Sequence, residues 1–127
     1  MLPFTVELKP GAPVYEQVVY SVKKAMVSGQ LSPGDEFPSV RAISQQLKIN
    51  PNTAHKIVAA LTSDGLLEVR PGIGTFVSQA PPGNKAERTA LLEDEVEQLV
   101  VEARRLSLQL QDVVEAVRKH WNHLRKP

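Results

Sequence analysis

Cysteine is absent from this sequence of 127 residues. Without it the chain forms neither disulfide bonds nor zinc sites with thiolate ligands, and this composition suits the reducing cytoplasm. Aromatic residues make up only 5% of the sequence. No apolar run approaches the roughly 20 residues that a membrane-spanning helix needs, and the N-terminal segment MLPFTVELKP has an acidic residue and no apolar signal core. We therefore expect a cytoplasmic protein with no membrane partner.

A large excess of either charge is also missing. The formal net charge is +1, and the apolar and charged fractions, 42% and 23%, are those of an ordinary globular protein. The length allows one domain with an appendage rather than two large cores. Because so weak a net charge attracts no polyanion by itself, any contact with nucleic acid has to depend on where the basic residues lie.

Sequence patterns of catalysis and cofactor binding are missing as well. The three histidines, His55, His120 and His123, have no carboxylates or cysteines at catalytic or zinc-binding spacing, and there is no glycine-rich phosphate loop. His120 and His123 lie one helical turn apart and could share a metal ion, yet such pairs at helix ends are more often solvated or packed. The sequence therefore predicts neither an enzyme nor a cofactor or metal site.

Apolar residues at helical spacing predict three helices in the first half of the chain. The first follows residues 10–13 and ends at Gly29. The second begins after Ser39, a good N-cap, and the third begins with Asn50 as its N-cap and Pro51 in the first helical position, where the missing N–H costs nothing. The residues predicted to face the core are Tyr15, Val18, Val19, Val22 and Met26 in the first helix, Val40, Ile43 and Leu47 in the second, and Ala54, Ile57, Val58 and Leu61 in the third.

Two strands are predicted after the third helix, at 66–70 and 73–77, with Pro71 and Gly72 in the centre of a type II turn. Three helices with a short turn before the third, then a β-hairpin, are the order of a winged helix-turn-helix. In that fold the third helix lies in the DNA major groove. Its side opposite the apolar face carries groups that can read bases and hold phosphates: Asn52, Thr53, His55, Lys56 and Ala59. We therefore predict a mainly α fold with a small β-hairpin wing.

The segments PVYEQ, SGQLSPGDEFPSVR, NPNTAHK, LTSDGLL and GIGTFV occur over residues 13–78. In order and spacing, this region resembles the DNA-binding domain of the GntR family of bacterial transcription regulators. The resemblance implies that Arg41 reaches the operator from the second helix, with Ser39 beside it, and that Gly72 enters the minor groove at the tip of the wing. Arg70 is then an expected phosphate contact. The start of the recognition helix supplies the other implied DNA-binding residues: Asn50, Pro51, Asn52, Thr53, His55 and Lys56.

Beyond a predicted linker at 79–85, the chain has a different pattern. Apolar residues continue from Leu92 at an alternating spacing of four and three, with charged residues at most positions between them, and such a stripe needs a partner surface. We therefore predict a helical dimerisation tail at 86–127, behind a winged helix-turn-helix domain at 1–78. The predicted dimerisation residues are Leu92, Val96, Leu99, Ala103, Leu106, Leu110, Val113, Val117, Trp121 and Leu124.

The short tail is similar to that of the YtrA-like subgroup of the family, in which it serves mainly for dimerisation. The family commonly has glycine at the positions of Lys48 and Ser107. We expect Lys48 to take a left-handed conformation in the turn before the third helix, at a cost of about 1 kcal/mol. In the tail the heptad pattern allows one continuous helix, and we favour two helices with a bend near residues 106–109.

The predicted function is sequence-specific DNA binding by a homodimer at a pseudo-palindromic operator, and the resemblance implies repression of transcription in a bacterium. Two alternatives stay open. A small effector could bind near the tail, although no group of residues specifies one, or the winged helix could bind a protein instead of DNA. Neither the operator sequence nor the target genes follow from the chain.

Overall fold

The chain forms two structural units. The computed structural model of the protein describes residues 1–79 and 83–124. The first range forms one unit, here called the winged unit, and the second forms the tail unit. The predicted linker lies at this division, and its residues 80–82 fall outside the described residues. The first tail helix already begins at Lys85, within the span predicted as linker.

The three predicted cap residues, Gly29, Ser39 and Asn50, lie at helix ends of the winged unit. Gly29, with φ of 90°, ends the first helix in the left-handed conformation. The Ala42 N–H donates to Ser39 Oγ at 3.1 Å, and the Asn52 N–H donates to Asn50 Oδ1 at 2.7 Å. The three predicted helices are therefore confirmed as α1 (Val14–Ser28), α2 (Val40–Leu47) and α3 (Pro51–Ser63).

A three-stranded antiparallel sheet accompanies the helices, with the last strand in its centre. The hairpin was predicted, but the first strand was not, because the sequence before Pro38 indicated only an extended backbone. The preceding loop attaches this strand to the sheet: the Gly34 N–H donates to the Val77 carbonyl at 2.7 Å, and the Val77 N–H donates to the Asp35 carbonyl at 2.8 Å. The strands are β1 (Glu36–Phe37), β2 (Leu67–Arg70) and β3 (Gly74–Val77).

One apolar core lies among these helices and the sheet. Most of the predicted inward-facing residues are buried or pack against the core. Tyr15 is a correction, because 38% of its surface is exposed, and Ala25 takes the inward position further along α1. The buried core residues are Phe4, Val18, Val22, Ala25, Leu31, Phe37, Ile43, Ala54, Ile57, Leu61, Leu67 and Val77.

The N-terminal segment is part of this core, a role that the sequence did not indicate. The Phe4 ring stacks on Phe37, with centroids 5.6 Å apart and an interplanar angle of 10°. Gln17 on α1 holds the backbone of the same segment: its Oε1 accepts from the Lys9 N–H at 2.7 Å, and its Nε2 donates to the carbonyls of Lys9 and Ala12. The segment PVYEQ thus contains the side chain that attaches the N-terminus to α1.

The turn between α2 and α3 has the predicted left-handed residue. Lys48 has φ of 55° and ψ of 49° and ends α2. Behind it, the Ile49 N–H donates to the Ser44 carbonyl at 3.1 Å and so closes the last turn of the helix.

The tail unit contains two long helical stretches with a break between them, as favoured above. The break follows Arg105, and Ser107 within it is left-handed with φ of 60°. A π-helical segment, which the sequence did not indicate, interrupts the first stretch and contains Leu92. The segments are α4 (Lys85–Thr89), the π-helical residues Ala90–Glu95, α5 (Val96–Arg105) and α6 (Leu110–His123). None of the described helices has the length and apolar character needed to cross a membrane.

Replacing Lys48 by glycine should raise the free energy of unfolding by about 0.5–1 kcal/mol, because glycine adopts the left-handed conformation without strain. Urea unfolding followed by circular dichroism measures the change. Lys48→Ala is the matched control, since alanine keeps the Cβ, and with it the backbone strain, while it removes the rest of the lysine side chain and its charge. An equal gain with alanine would contradict the backbone explanation.

Candidate nucleic-acid interface

The segment that builds α2, the turn and α3 contains no acidic residue. Between Phe37 and Ser63 there is no Asp or Glu, whereas Arg41, Lys48 and Lys56 carry positive charge. All three cations are exposed. Within residues 1–79 and 83–124, the only ion pairs join Arg70 to Glu68 and Arg105 to Glu102. A chain of net charge +1 thus places three cations and no acidic residue in one helix-turn-helix segment.

α3 is divided into a buried face and a polar face. Ala54, Ile57 and Leu61 are fully buried in the core. On the other side Asn52, His55 and Lys56 are exposed, and Thr53 is half-buried. Because its apolar side is already covered, the polar side of α3 is free to face a polar partner such as the edges of DNA bases.

Ser39 and Asn50 cap the two helices and keep donors that the caps do not use. Each side-chain oxygen accepts a backbone N–H of its own helix. The Ser39 hydroxyl hydrogen and the Asn50 amide NH₂ are the remaining donors of these exposed side chains. Ser39 and Asn50, both predicted DNA contacts, therefore cap their helices and can still donate a hydrogen bond to a phosphate oxygen.

The wing is a tight turn between β2 and β3. Gly72 has φ of 76°, which matches the third position of the predicted type II turn, and the Ile73 N–H donates to the Arg70 carbonyl at 2.9 Å. The Arg70 side chain, however, is engaged within the hairpin. Its Nη2 lies 2.9 Å from Glu68 Oε1, and its guanidinium carbon lies 4.2 Å from the centroid of the Phe76 ring. Arg70 therefore differs from the cations of α2 and α3, for which the described part of the chain provides no acidic partner.

The predicted DNA-binding residues fall into three places on the winged unit. Ser39 and Arg41 lie at the start of α2, and residues 50–56 lie at the start of α3, which packs against α2. Arg70 and Gly72 lie apart on the hairpin, whose strand β2 packs against α3. Lys48 is an exposed cation of this surface that the sequence reasoning did not include. The signal that could have found it is the lack of acidic residues from 37 to 63.

The predicted dimerisation residues lie on a largely exposed face of the tail unit. Ala103 is buried, with 6% of its surface exposed, whereas Leu110 and Trp121 are 79% and 78% exposed. Val113 and Leu124 are half-buried. The remaining predicted residues are exposed: Leu92, Val96, Leu99, Leu106 and Val117.

An open groove between α5 and α6 extends this apolar face. Its volume is about 570 Å³, and its walls include Leu99, Leu106, Val113, Val117 and Trp121. Glu102, Asp112 and His120 also line it. No group of three or more potential metal ligands occurs in the described parts of the chain. The groove is therefore an open, largely apolar surface with a few polar side chains.

Comparison with known proteins agrees with this architecture. Residues 14–77 match the sequence profile of a family described as bacterial regulatory proteins, gntR family. The chain is 27% identical over 115 residues to the HTH-type transcriptional repressor YtrA of Bacillus subtilis (strain 168), and the alignment covers 90% of this chain and 88% of YtrA. The similarity to YtrA thus includes the tail.

Two solved structures support the fold. A protein described as a transcriptional antiterminator from Listeria monocytogenes EGD-e superimposes with a TM-score of 0.82 at 23% identity, over 95% of this chain and 91% of that one. The DNA-binding domain of AraR in complex with operator ORX1 has a TM-score of 0.50 at 28% identity, over 57% of this chain and 93% of that one.

The family profile covers the region that contains α1, α2, α3 and the wing. Its relatives are transcription regulators rather than enzymes, and one of the similar structures is a complex with operator DNA. This chain therefore belongs to the GntR family of bacterial regulatory proteins and is a DNA-binding transcription regulator with a winged helix-turn-helix.

Proposed function

We propose that the protein represses transcription in the cytoplasm by binding a pseudo-palindromic operator as a homodimer. The observation that carries the proposal is the acid-free segment from Phe37 to Ser63, which presents cations and hydrogen-bonding groups on α2 and α3. In this arrangement the N-terminal half of α3 enters the major groove, and Asn52, Thr53 and His55 face base edges. Ser39, Asn50 and Lys56 contact phosphates near the groove.

Arg41 is proposed to contact a base as well as the backbone. It is exposed at the start of α2, one residue beyond the first helical position, and has no acidic partner among the described residues. A guanidinium can donate two parallel hydrogen bonds to guanine O6 and N7. Lys56 lacks this fork and holds a phosphate as a point charge.

The tail supplies the second half of the proposal. Its apolar face leaves Leu110 and Trp121 more than three quarters exposed, with values of 79% and 78%. Single soluble chains rarely leave a contiguous apolar face of this kind open to water. A second copy of the tail, with the same stripe, can cover the face by two-fold symmetry.

Dimerisation also compensates for the weak charge of one chain. Two linked winged units bind two half-sites, and the second binding event is intramolecular once the first has occurred. In helix-turn-helix dimers the half-sites lie about 34–36 Å apart, or a multiple of this distance. A bound dimer of this kind blocks access of RNA polymerase to a promoter. The name of the relative YtrA, a transcriptional repressor, supports repression as the sign of regulation.

The groove between α5 and α6 favours an effector-responsive regulator as the second candidate. Its volume of about 570 Å³ falls within the range of small-molecule sites, roughly 300–1,000 Å³. The same apolar walls belong to the predicted dimerisation stripe, however, so a dimer partner would cover part of them. A wild-type protein that sediments as a monomer at micromolar concentration would favour the effector site over the dimer seam.

The direct test of the proposed function is selection of bound sequences from a random duplex library with the purified full-length protein. We expect enrichment of an inverted repeat at near-physiological salt. If circular dichroism shows that the protein is folded and the selection still enriches no sequence, the result would contradict autonomous operator binding.

Replacing Arg41 by alanine should weaken binding to the selected operator by about 1–3 kcal/mol, or roughly 5- to 150-fold in Kd, if the side chain contacts a base. Fluorescence anisotropy on the operator and on a scrambled duplex measures the loss. Arg41→Lys is the matched control, because lysine keeps the charge and loses the paired donors. Equal losses on both duplexes for alanine, with recovery by lysine, would show a phosphate contact only.

Aspartate at both Leu99 and Leu110 should give a monomer with much weaker operator binding, because the dimer seam would then bury charged groups. Both leucines are exposed in the single chain, at 45% and 79%, so the winged unit should still fold. Analytical ultracentrifugation measures the oligomeric state. The matched control, Gln98→Asp with Asn122→Asp, adds two charges at exposed polar positions and should stay dimeric. A dimer in the leucine variant would refute the proposed seam.

A further inference from the structure

The tip of the wing has no charged or polar side chain. Pro71, Gly72 and Ile73 form the turn. Ile73 is 71% exposed, more than any other large apolar side chain described in the winged unit except Met1. Ile73 follows a glycine in a projecting turn, and its side chain is open to water. By contrast, the apolar side chains at the base of the hairpin, Leu67 and Val77, are buried.

Arg70 is the cation nearest to the tip, and its side chain contacts other residues of the hairpin. In the register of the hairpin Glu68 is opposite Phe76, whereas Arg70 is opposite Gly74 at the end of the strands. The Arg70 guanidinium pairs with Glu68 at 2.9 Å and lies over the Phe76 ring at 4.2 Å. It therefore points toward the base of the hairpin, and its charge is balanced locally by Glu68.

We propose that Ile73 is a specificity-determining residue, which packs against the floor of the minor groove and favours A·T over G·C pairs there. This inference rests on the proposed operator binding. The B-DNA minor groove is about 6 Å wide, whereas two paired strands are already about 4.8 Å apart before side chains are added. Only the tip of the hairpin can therefore enter, and Gly72 contributes no side chain to the contact.

The discrimination follows from the groups in the groove floor. A·T pairs expose only acceptors there, whereas a G·C pair adds the guanine N2 amino group, which is a donor and projects into the groove. The Ile73 side chain has no atom that can accept a hydrogen bond from this amino group. The amino group of a G·C pair beneath Ile73 would therefore lose its hydrogen bond to water and gain no other. The uncharged tip also displaces no counterion, so the wing adds specificity without adding salt dependence.

The test uses the full-length protein and operator duplexes in which single A·T pairs beside each half-site are changed to G·C. We expect the wild-type protein to prefer A·T by about tenfold at one or more of these pairs, within the usual cost of a mismatched pair. Ile73→Ser should reduce this preference to less than about twofold and keep the discrimination at the half-site core. An unchanged preference in Ile73→Ser would overturn the inference.

A second variant tests whether the tip reaches the DNA at all. Ile73→Lys should steepen the dependence of log K on log salt by about 0.9 per wing, or about 1.8 per dimer, because each new cation releases counterions. Val101→Lys, at a residue 58% exposed on the tail, is the matched control and should keep the wild-type slope. A wild-type slope for Ile73→Lys would also overturn the inference. Absence of any selected operator for the wild-type protein would instead refute the proposed function.

Discussion

The left-handed backbone at Lys48 is the constraint on which the proposed DNA-reading surface depends. It ends α2 and lets Asn50 cap α3 only two residues later. In this short turn both helices bury one face in the same core, with Ile43 and Ile57 fully covered. The polar face of α3 then points outward because its other face is already used. The exposed polar face proposed to read bases is thus a consequence of how closely the two helices follow each other.

A left-handed residue also separates two helices in the tail, but there the helices do not share a buried core. Ser107 is also left-handed and divides the heptad pattern into α5 and α6. In the winged unit the turn allows two helices to share one core, whereas in the tail an open apolar groove lies between the helices, and Ala103 is the only buried residue among the described residues 83–124. The winged unit buries its apolar residues in its own core, whereas the tail leaves an apolar face exposed. In the proposed homodimer, folding would depend on the first unit and association on the second.

Local features were predictable from the sequence for physical reasons. Ser39 and Asn50 each accept an N–H within three residues, so cap chemistry is visible in a short window. The turn at Gly72 is likewise a local backbone preference, whereas the left-handed Lys48 opposes the preference of a residue with a Cβ and was expected only from the resemblance to a family that commonly has glycine there. By contrast β1, the stacking of Phe4 on Phe37 and the pairing of Arg70 with Glu68 depend on which groups meet in space. No periodicity marks a two-residue strand, and an arginine in a sequence does not show whether its charge is already balanced.

The sequence by itself determined the order of the helices, the hairpin, the exposed polar residues of α3 and the heptad stripe of the tail, because each depends on neighbours a few residues away. Only the tertiary structure decided which cations already have an acidic partner in the free protein. Arg41, Lys48 and Lys56 have no acidic partner in residues 1–79 and 83–124, whereas Arg70 is held by Glu68 and Phe76. The physical reason is that charge acts through space over a few ångströms, so the availability of a side chain is a property of the folded surface and not of its position in the chain.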